Sequence, residues 1–221
     1  MLSKNKLYKI FYGKNYDSLY SGISGFFFIW AHKNLQSFMI HKEKSNKILE
    51  IGPGRFPHYN FDKQKISNKY YFYETYSKNI SYLKKKNKNF LFFKSLKNIP
   101  NTFFDRIICS HVLEHVEDPV KFILRLKSLL KKGGHIYFTL PCDPGLLWNL
   151  GRLVRYLFFW KKKGIKKKEY YYHMALEHKN SIQNLLSILK YHFKEIQEVY
   201  LPFPIKLINI NLMCNVIVRK N

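Results

Sequence analysis

Ile48-Leu49-Glu50-Ile51-Gly52-Pro53-Gly54 is an apolar run that ends in two spaced glycines. A strand stopping in glycine is built to press bare main chain against a ligand, because the missing Cβ lets the chain turn sharply and its N–H groups approach closely. Twenty residues past Gly54, Tyr70-Tyr71-Phe72-Tyr73 runs into Glu74, where a second strand presents a carboxylate to the two hydroxyls of a ribose. Several nucleotide-binding folds share a glycine turn with a distant acid, so a third element has to narrow the reading. Phe104-Asp105-Arg106-Ile107-Ile108-Cys109-Ser110-His111-Val112-Leu113-Glu114-His115-Val116-Glu117-Asp118-Pro119 supplies it, as a buried strand, a polar rim and a new helix. Ser110 and His111 fall just past that strand, at the carboxyl end where open α/β sheets bind ligands. Glu114 and His115 can frame a pocket, cap backbone N–H groups or draw a proton from a substrate.

The elements that must position these groups alternate. Strands are expected near 48–52, 70–74, 90–94, 104–110 and 135–140, with helical segments between them, which implies a parallel sheet. Ahead of them, residues 20–40 read as a cap helix carrying Phe27, Trp30, Ala31 and Phe38, followed by a solvated connector from Lys42 to Lys47. Asp118 as N-cap and Pro119 as first helical residue begin a helix whose Phe122, Ile123, Leu126, Leu129 and Leu130 recur on one face until Gly133-Gly134 ends it. Over 145–160, Leu146, Leu147, Leu150, Val154, Leu157 and Phe158 stand at helical spacing ahead of Trp160 and the lysines from Lys161 to Lys168. The favoured reading is a lid packing this stripe over the site. Its rival is an interfacial helix with Trp160 and the lysines at anionic headgroups. Ile182, Leu185, Leu186 and Leu189 mark a last helix before closing strands at 196–200 and 212–218.

The Phe104–Pro119 stretch resembles the fourth strand and following loop of class I S-adenosylmethionine-dependent methyltransferases, where forms like S-x-x-L-E-H-x-x-D-P recur. Leu130–Pro141 is similar to the family's helix, glycine stop and fifth strand. The resemblance, to the small type-11-like bacterial domains, covers about residues 48–141. It implies a Rossmann-like doubly wound sheet of seven mostly parallel strands with an antiparallel last strand, a helical N-terminal cap and a helical lid insertion. The chain then divides into a cap (1–45), a cofactor-binding core (46–141), a lid and acceptor region (142–180) and a closing helix with strands (181–221), all in one domain. S-adenosylmethionine is the implied cofactor. Gly52 and Gly54 would approach its methionine portion, Glu50 would order the loop or meet the ammonium group, and Glu74 would hold the ribose. Aligning Pro100 with the family's D-x-x-x-L-P proline puts Ser95 where an aspartate often receives the adenine amino group, with the Leu96 N–H facing the ring. His111 and His115 are the candidates for proton transfer, and Glu177-His178 resembles an E-H pair that lines the acceptor pocket of relatives. The sequence departs from the pattern at Phe56, which stands in place of the third glycine of G-x-G-x-G and forces the loop to run differently.

Thirty-nine Lys and Arg against 14 Asp and Glu give a formal charge of +25, which attracts nucleic acid, anionic lipid or acidic substrates. The joint abundance of Lys, Asn, Ile, Tyr and Phe is equally what A- and T-rich coding produces. No RNA-binding module or base-flipping motif accompanies the charge, so nucleic acid ranks below a small-molecule or glycan acceptor, methylated at oxygen. A silent binding protein, having lost the cofactor through Phe56 and Ser95, is the third reading. Cys109, Cys142 and Cys214 are odd in number and widely spaced, which suits a reducing compartment and no metal site. With no apolar leader at the start, the expected location is the cytoplasm, with peripheral contact to the inner face of the membrane.

Overall fold

The computed structural model describes residues 9–11, 22–39, 47–62 and 70–221. Among them the apolar runs form strands β1 (Ile48–Ile51), β2 (Tyr70–Tyr73), β3 (Leu91–Phe93), β4 (Phe104–Ser110), β5 (Leu130–Pro141), β6 (Glu195–Leu201) and β7 (Met213–Arg219), ordered β3-β2-β1-β4-β5-β7-β6. β1 to β5 run parallel, and β7 lies antiparallel to both β5 and β6. Every residue of β1 is buried, as a central parallel strand covered on both faces must be. The helices are α1 (Gly22–Phe38), α2 (Ser77–Lys86), α3 (Pro119–Leu129), α4 (Leu146–Arg155), α5 (Lys167–Glu177) and α6 (Ile182–His192). Leu49, Ile51, Ile107 and Cys109 pack with α3 and α6 on one face, whereas Ile48, Ile108 and Tyr137 meet Leu35 of α1, Met39 just past its end and Leu83 of α2 on the other. Full burial of such a side chain contributes about 1.5–3 kcal/mol.

The expected cap helix and all seven strands are present, and Asp118 caps α3 by accepting from Lys121 N at 2.9 Å. Three expectations are corrected. First, α3 ends at Leu129 and Leu130 already pairs with Phe104, so Gly133-Gly134 lies inside β5. The last helical carbonyls are taken by Thr102 N and Phe103 N, which bond Ser128 O and Leu129 O at 2.9 and 2.8 Å, so no glycine cap is required. The glycines instead let β5 bulge past β4: Gly133 has φ +77°, and a Cβ on Gly134 would lie 2.9 Å from the Asp105 carbonyl.

Second, the apolar stripe that begins on α4 and runs on to Phe158 is not packed. Leu146, Leu150, Val154, Leu157 and Phe158 are exposed, between 37 and 70%. Third, Trp160 is buried against Phe11, 4.1 Å between ring centroids, inside a small cluster with Tyr156, Ile165 and Tyr170. The lysine run is also not a plain solvated tail, because its end starts α5, a helix the apolar spacing did not reveal. The connector expected from Lys42 to Lys47 lies, apart from Lys47, outside the described residues, as does the chain start.

Candidate functional site

The carboxyl ends of β1, β2 and β4 lie side by side at the point where strand order reverses, between β1 and β4. Ligand crevices of open α/β sheets form at this point. The turn after β1 holds Gly52 at φ +61° and Gly54 at φ +58°, and a Cβ on Gly52 would come within 2.7 Å of Val112 Cγ2. Only glycine fits this conformation and clearance. Gly52 N donates to Tyr73 O at 2.8 Å, tying the β1 turn to the β2 tip.

Glu74 turns back toward that turn. Its Oε2 accepts from Gly54 N at 3.1 Å and from Asn79 Nδ2 at 3.2 Å, and its Oε1 accepts from Tyr76 N at 2.9 Å. Glu50 is 2% exposed, with Oε1 accepting from His58 N at 2.7 Å and Oε2 without a partner. Burial outweighs hydrogen bonds from the His58 and Tyr59 main chain and pushes its pKa up to about 8. Phe56 packs toward the cap, 6.1 Å from Phe28 and 5.6 Å from Phe61.

Beyond β4, Ser110 Oγ and His111 Nε2 are buried and unpartnered. His111 takes φ +54°, with its N–H on Thr139 O at 3.0 Å. Such strain in a residue with a side chain clusters at functional sites. Glu114 Oε1 sits 3.7 Å from His111 Nδ1 and 3.8 Å from His115 Nε2. Burial pushes the Glu114 carboxyl up, but His115, His111 and His178 outweigh it and bring the pKa to about 2. His115 Nδ1 donates to Glu177 O at 2.8 Å, and the Glu114 carbonyl receives Lys179 N and Asn180 N, so the loop after β4 is clamped to the segment that follows α5.

Glu50, Gly52, Gly54, Glu74, Ser110 and His111 therefore gather at adjacent strand tips, with His115 one step outward at the α5 clamp. Ser95 is spent locally, accepting from Lys97 N at 3.2 Å as cap of a 3-10 turn that begins at Leu96. Arg125 of α3 fastens that turn through Leu96 O and Ile99 O, each at 2.6 Å.

Two clusters escaped the sequence reading. On α1, Gln36 and His32 reach His58, with His58 Nε2 2.6 Å from Gln36 Oε1 and the two histidine Nδ1 atoms 3.0 Å apart. The signal was there: His32 and Gln36 stand four residues apart, which puts both on one face of the helix. Past β5, Asp143 lies 2.9 Å from His178 Nδ1 and 3.3 Å from Arg152 of α4. Burial raises the Asp143 carboxyl, and His178 and Arg152 more than reverse it, leaving it below its ordinary value. Among the described residues no group of His, Cys, Asp and Glu is arranged to hold a metal, and no helix is long and apolar enough to cross a membrane.

A family profile described as a methyltransferase domain matches residues 30–187. No curated protein sequence matches significantly. Among solved structures, a SAM-dependent methyltransferase from Archaeoglobus fulgidus aligns with a TM-score of 0.59 at 18% identity over 87% of this chain and 94% of its own. The plantazolicin methyltransferase BpumL, in complex with a desmethylPZN analogue and SAH, aligns with a TM-score of 0.66 at 14% identity over 99 and 94%. The N-methyltransferase NodS of Bradyrhizobium japonicum, also holding SAH, gives 0.59 at 14% over 87 and 87%.

Proposed function

This chain belongs to the methyltransferase-domain family, and from that premise we propose that it transfers the methyl group of S-adenosylmethionine to oxygen on a small-molecule or glycan acceptor. The observation that carries the reading is the β1 turn, where Gly52 holds φ +61° with no room for a Cβ and the β2 acid is wired to Gly54. The residues fit the cofactor. Glu50 Oε2, Ser110 Oγ and His111 Nε2 are orphaned polar atoms around one crevice. Glu50 would meet the ammonium group. Glu74 Oε1, with one bond from Tyr76 N, keeps a lone pair for a ribose hydroxyl. The 3-10 turn from Leu96, capped by Ser95, would flank the adenine.

When bound, the cofactor supplies a methyl group on positively charged sulfur. The chain's own part is alignment: holding nucleophile and methyl in line can lower the barrier by about 7–11 kcal/mol. His111 would line the acceptor side, and His115 would hold the α5 clamp while facing the same carboxylate.

Calorimetry with S-adenosylhomocysteine tests the cofactor half, and a folded sample that binds none would favour the silent binding protein. A labelled-donor screen of sugars, phenols, amines, peptides and RNA tests the acceptor. Transfer only to nitrogen or to RNA would overturn that part.

A second observation favours action at an anionic membrane, on the cytoplasmic face. The exposed α4 stripe adjoins the β6–β7 connection, where Phe203, Ile205, Leu207 and Ile210 are also exposed. Lys161, Lys162, Lys163, Lys166, Lys167 and Lys168 stand exposed beside it. Apolar groups entering the headgroup region with lysines over anionic lipid is the interfacial pattern. Wild type should sediment with phosphatidylglycerol vesicles and not with phosphatidylcholine alone, and Leu150→Asn/Phe158→Ser should not sediment with either. Equal recovery of wild type and variant would remove this reading.

A further inference from the structure

The imidazoles of His32 and His58 meet through their Nδ1 atoms at 3.0 Å, and His58 Nε2 sits 2.6 Å from Gln36 Oε1. An amide oxygen only accepts, so His58 donates through Nε2 and its Nδ1 carries a lone pair. His32 must then donate through its own Nδ1, which leaves His32 Nε2 as a bare acceptor on the far side of the ring. That atom is buried without a partner, on a residue 3% exposed. A desolvated lone pair is costly unless something uses it.

Its surroundings say where it would be used. Phe28, one turn earlier on α1, lies 4.4 Å from the His32 ring and 5.6 Å from the His111 ring, and Phe61 stacks on His32 at 5.5 Å. His32 therefore sits between the segment after β1 and Phe28, whose ring also meets His111 just past β4. Burial, His58 and His111 together hold its pKa well below the ordinary value, and burial leads Arg106 in pulling His58 down to about 3. Both rings are neutral at working pH, and the lone pair is available.

Resting on the methyltransferase reading above, we propose that His32 Nε2 accepts the proton that the acceptor hydroxyl loses as it is methylated. The hydroxyl oxygen forms the new O–CH3 bond, and the C–S bond breaks with its electron pair remaining on sulfur, which becomes a neutral thioether. The O–H bond breaks with its pair remaining on oxygen, and the proton becomes the Nε2–H of an imidazolium that later returns it to water. One positive charge is present before and after, so the buried imidazolium replaces the sulfonium charge and does not add to it. His115 suits the role less, because its Nδ1 is bound to Glu177 O and its Nε2 faces the Glu114 carboxylate; His111 Nε2 is unpartnered like His32 Nε2, and a variant at His32 alone tells the two apart.

The test uses two donor-site probes, S-adenosylhomocysteine and sinefungin, whose amine stands in place of the transferred methyl and donates toward any proton acceptor there. Wild type should bind sinefungin more tightly than S-adenosylhomocysteine. His32→Phe, which keeps a ring between Phe28 and Phe61, should bind the thioether as before and sinefungin roughly tenfold to a hundredfold more weakly. An unchanged preference in a folded variant overturns the proposal while leaving the transferase reading intact. Wild type binding neither probe overturns both. Should the variant not fold, long-range proton–nitrogen NMR of wild type decides. A bare His32 Nε2 whose resonance moves with sinefungin and not with the thioether is expected, and the opposite tautomer, or no movement, is fatal.

Discussion

The Glu74 carboxylate bonds the Gly54 N–H at 3.1 Å, so the acid at the β2 tip and the glycine turn after β1 form one unit. The same carboxylate also holds Tyr76 N and Asn79 Nδ2 at the start of α2. Glu74→Ala should therefore lower stability by about 1–3 kcal/mol, and the melting temperature by about 2–4 °C for each of them. It should also weaken S-adenosylhomocysteine binding at least roughly tenfold. Glu74→Gln keeps the size and one accepting oxygen, so its melting temperature should lie nearer wild type while its affinity stays low. Affinity recovering together with stability would mean that the acid serves the turn and not the ribose.

The Gly52 conformation gives a steric prediction. Gly52→Ala places a methyl group 2.7 Å from Val112 Cγ2 at φ +61°, and a non-glycine residue in that region costs about 1–2 kcal/mol before any clash. Cofactor-product binding should vanish in calorimetry. Adding Val112→Ala removes the clashing carbon and should return part of the lost melting temperature without restoring affinity. Full recovery of both would show that main-chain approach at Gly52 is not needed.

Much of the crevice was legible because it is local: the apolar runs, their glycine and acid ends, and Asp118-Pro119 each act within a few residues. What was not legible is long-range. Leu130 continues the α3 apolar face in sequence, yet it pairs with Phe104, twenty-six residues earlier, and that strand pairing ends the helix. The α4 stripe reads as a packed lid because amphipathic spacing does not say whether a neighbour exists to cover it. The buried Trp160 and the start of α5 depend on Phe11, Tyr156 and Tyr170 meeting from three separate segments. His32 carries no local signature of chemistry. Its role emerges only when His58, twenty-six residues away, sets its tautomer.

Glu50 should couple cofactor binding to proton release. Its folded pKa of about 8 means that it is protonated at pH 7 in the free protein, and an ammonium group docking on Oε2 would ionise it. Calorimetry with S-adenosylhomocysteine in buffers of different ionisation enthalpy should report close to one proton released near pH 7, falling toward none above pH 9. In Glu50→Gln the release should disappear. A raised carboxyl pKa also means that the folded state binds the extra proton between about pH 4.5 and 8, so Glu50 costs stability as pH rises through that window. Glu50→Gln should accordingly melt higher than wild type at pH 8 and no higher at pH 4.

Asp143 joins His178 and Arg152 at 2.9 and 3.3 Å, which fastens α4 and the segment after α5 to the end of β5. Burial raises its carboxyl, and the hydrogen bond from His178 with the Arg152 charge more than reverses this, so its folded pKa lies below the ordinary 3.8. A depressed carboxylate contributes stability that is fully present above the unfolded value and lost as pH falls through the folded one. Asp143→Asn should therefore lower the melting temperature at pH 7, and the gap to wild type should close as both are taken below pH 3. Hydrogen exchange should quicken in α4 and around His178 and remain slow in β4. A gap that stays constant from pH 7 to pH 2 would mean that Asp143 acts through packing and not through its charge.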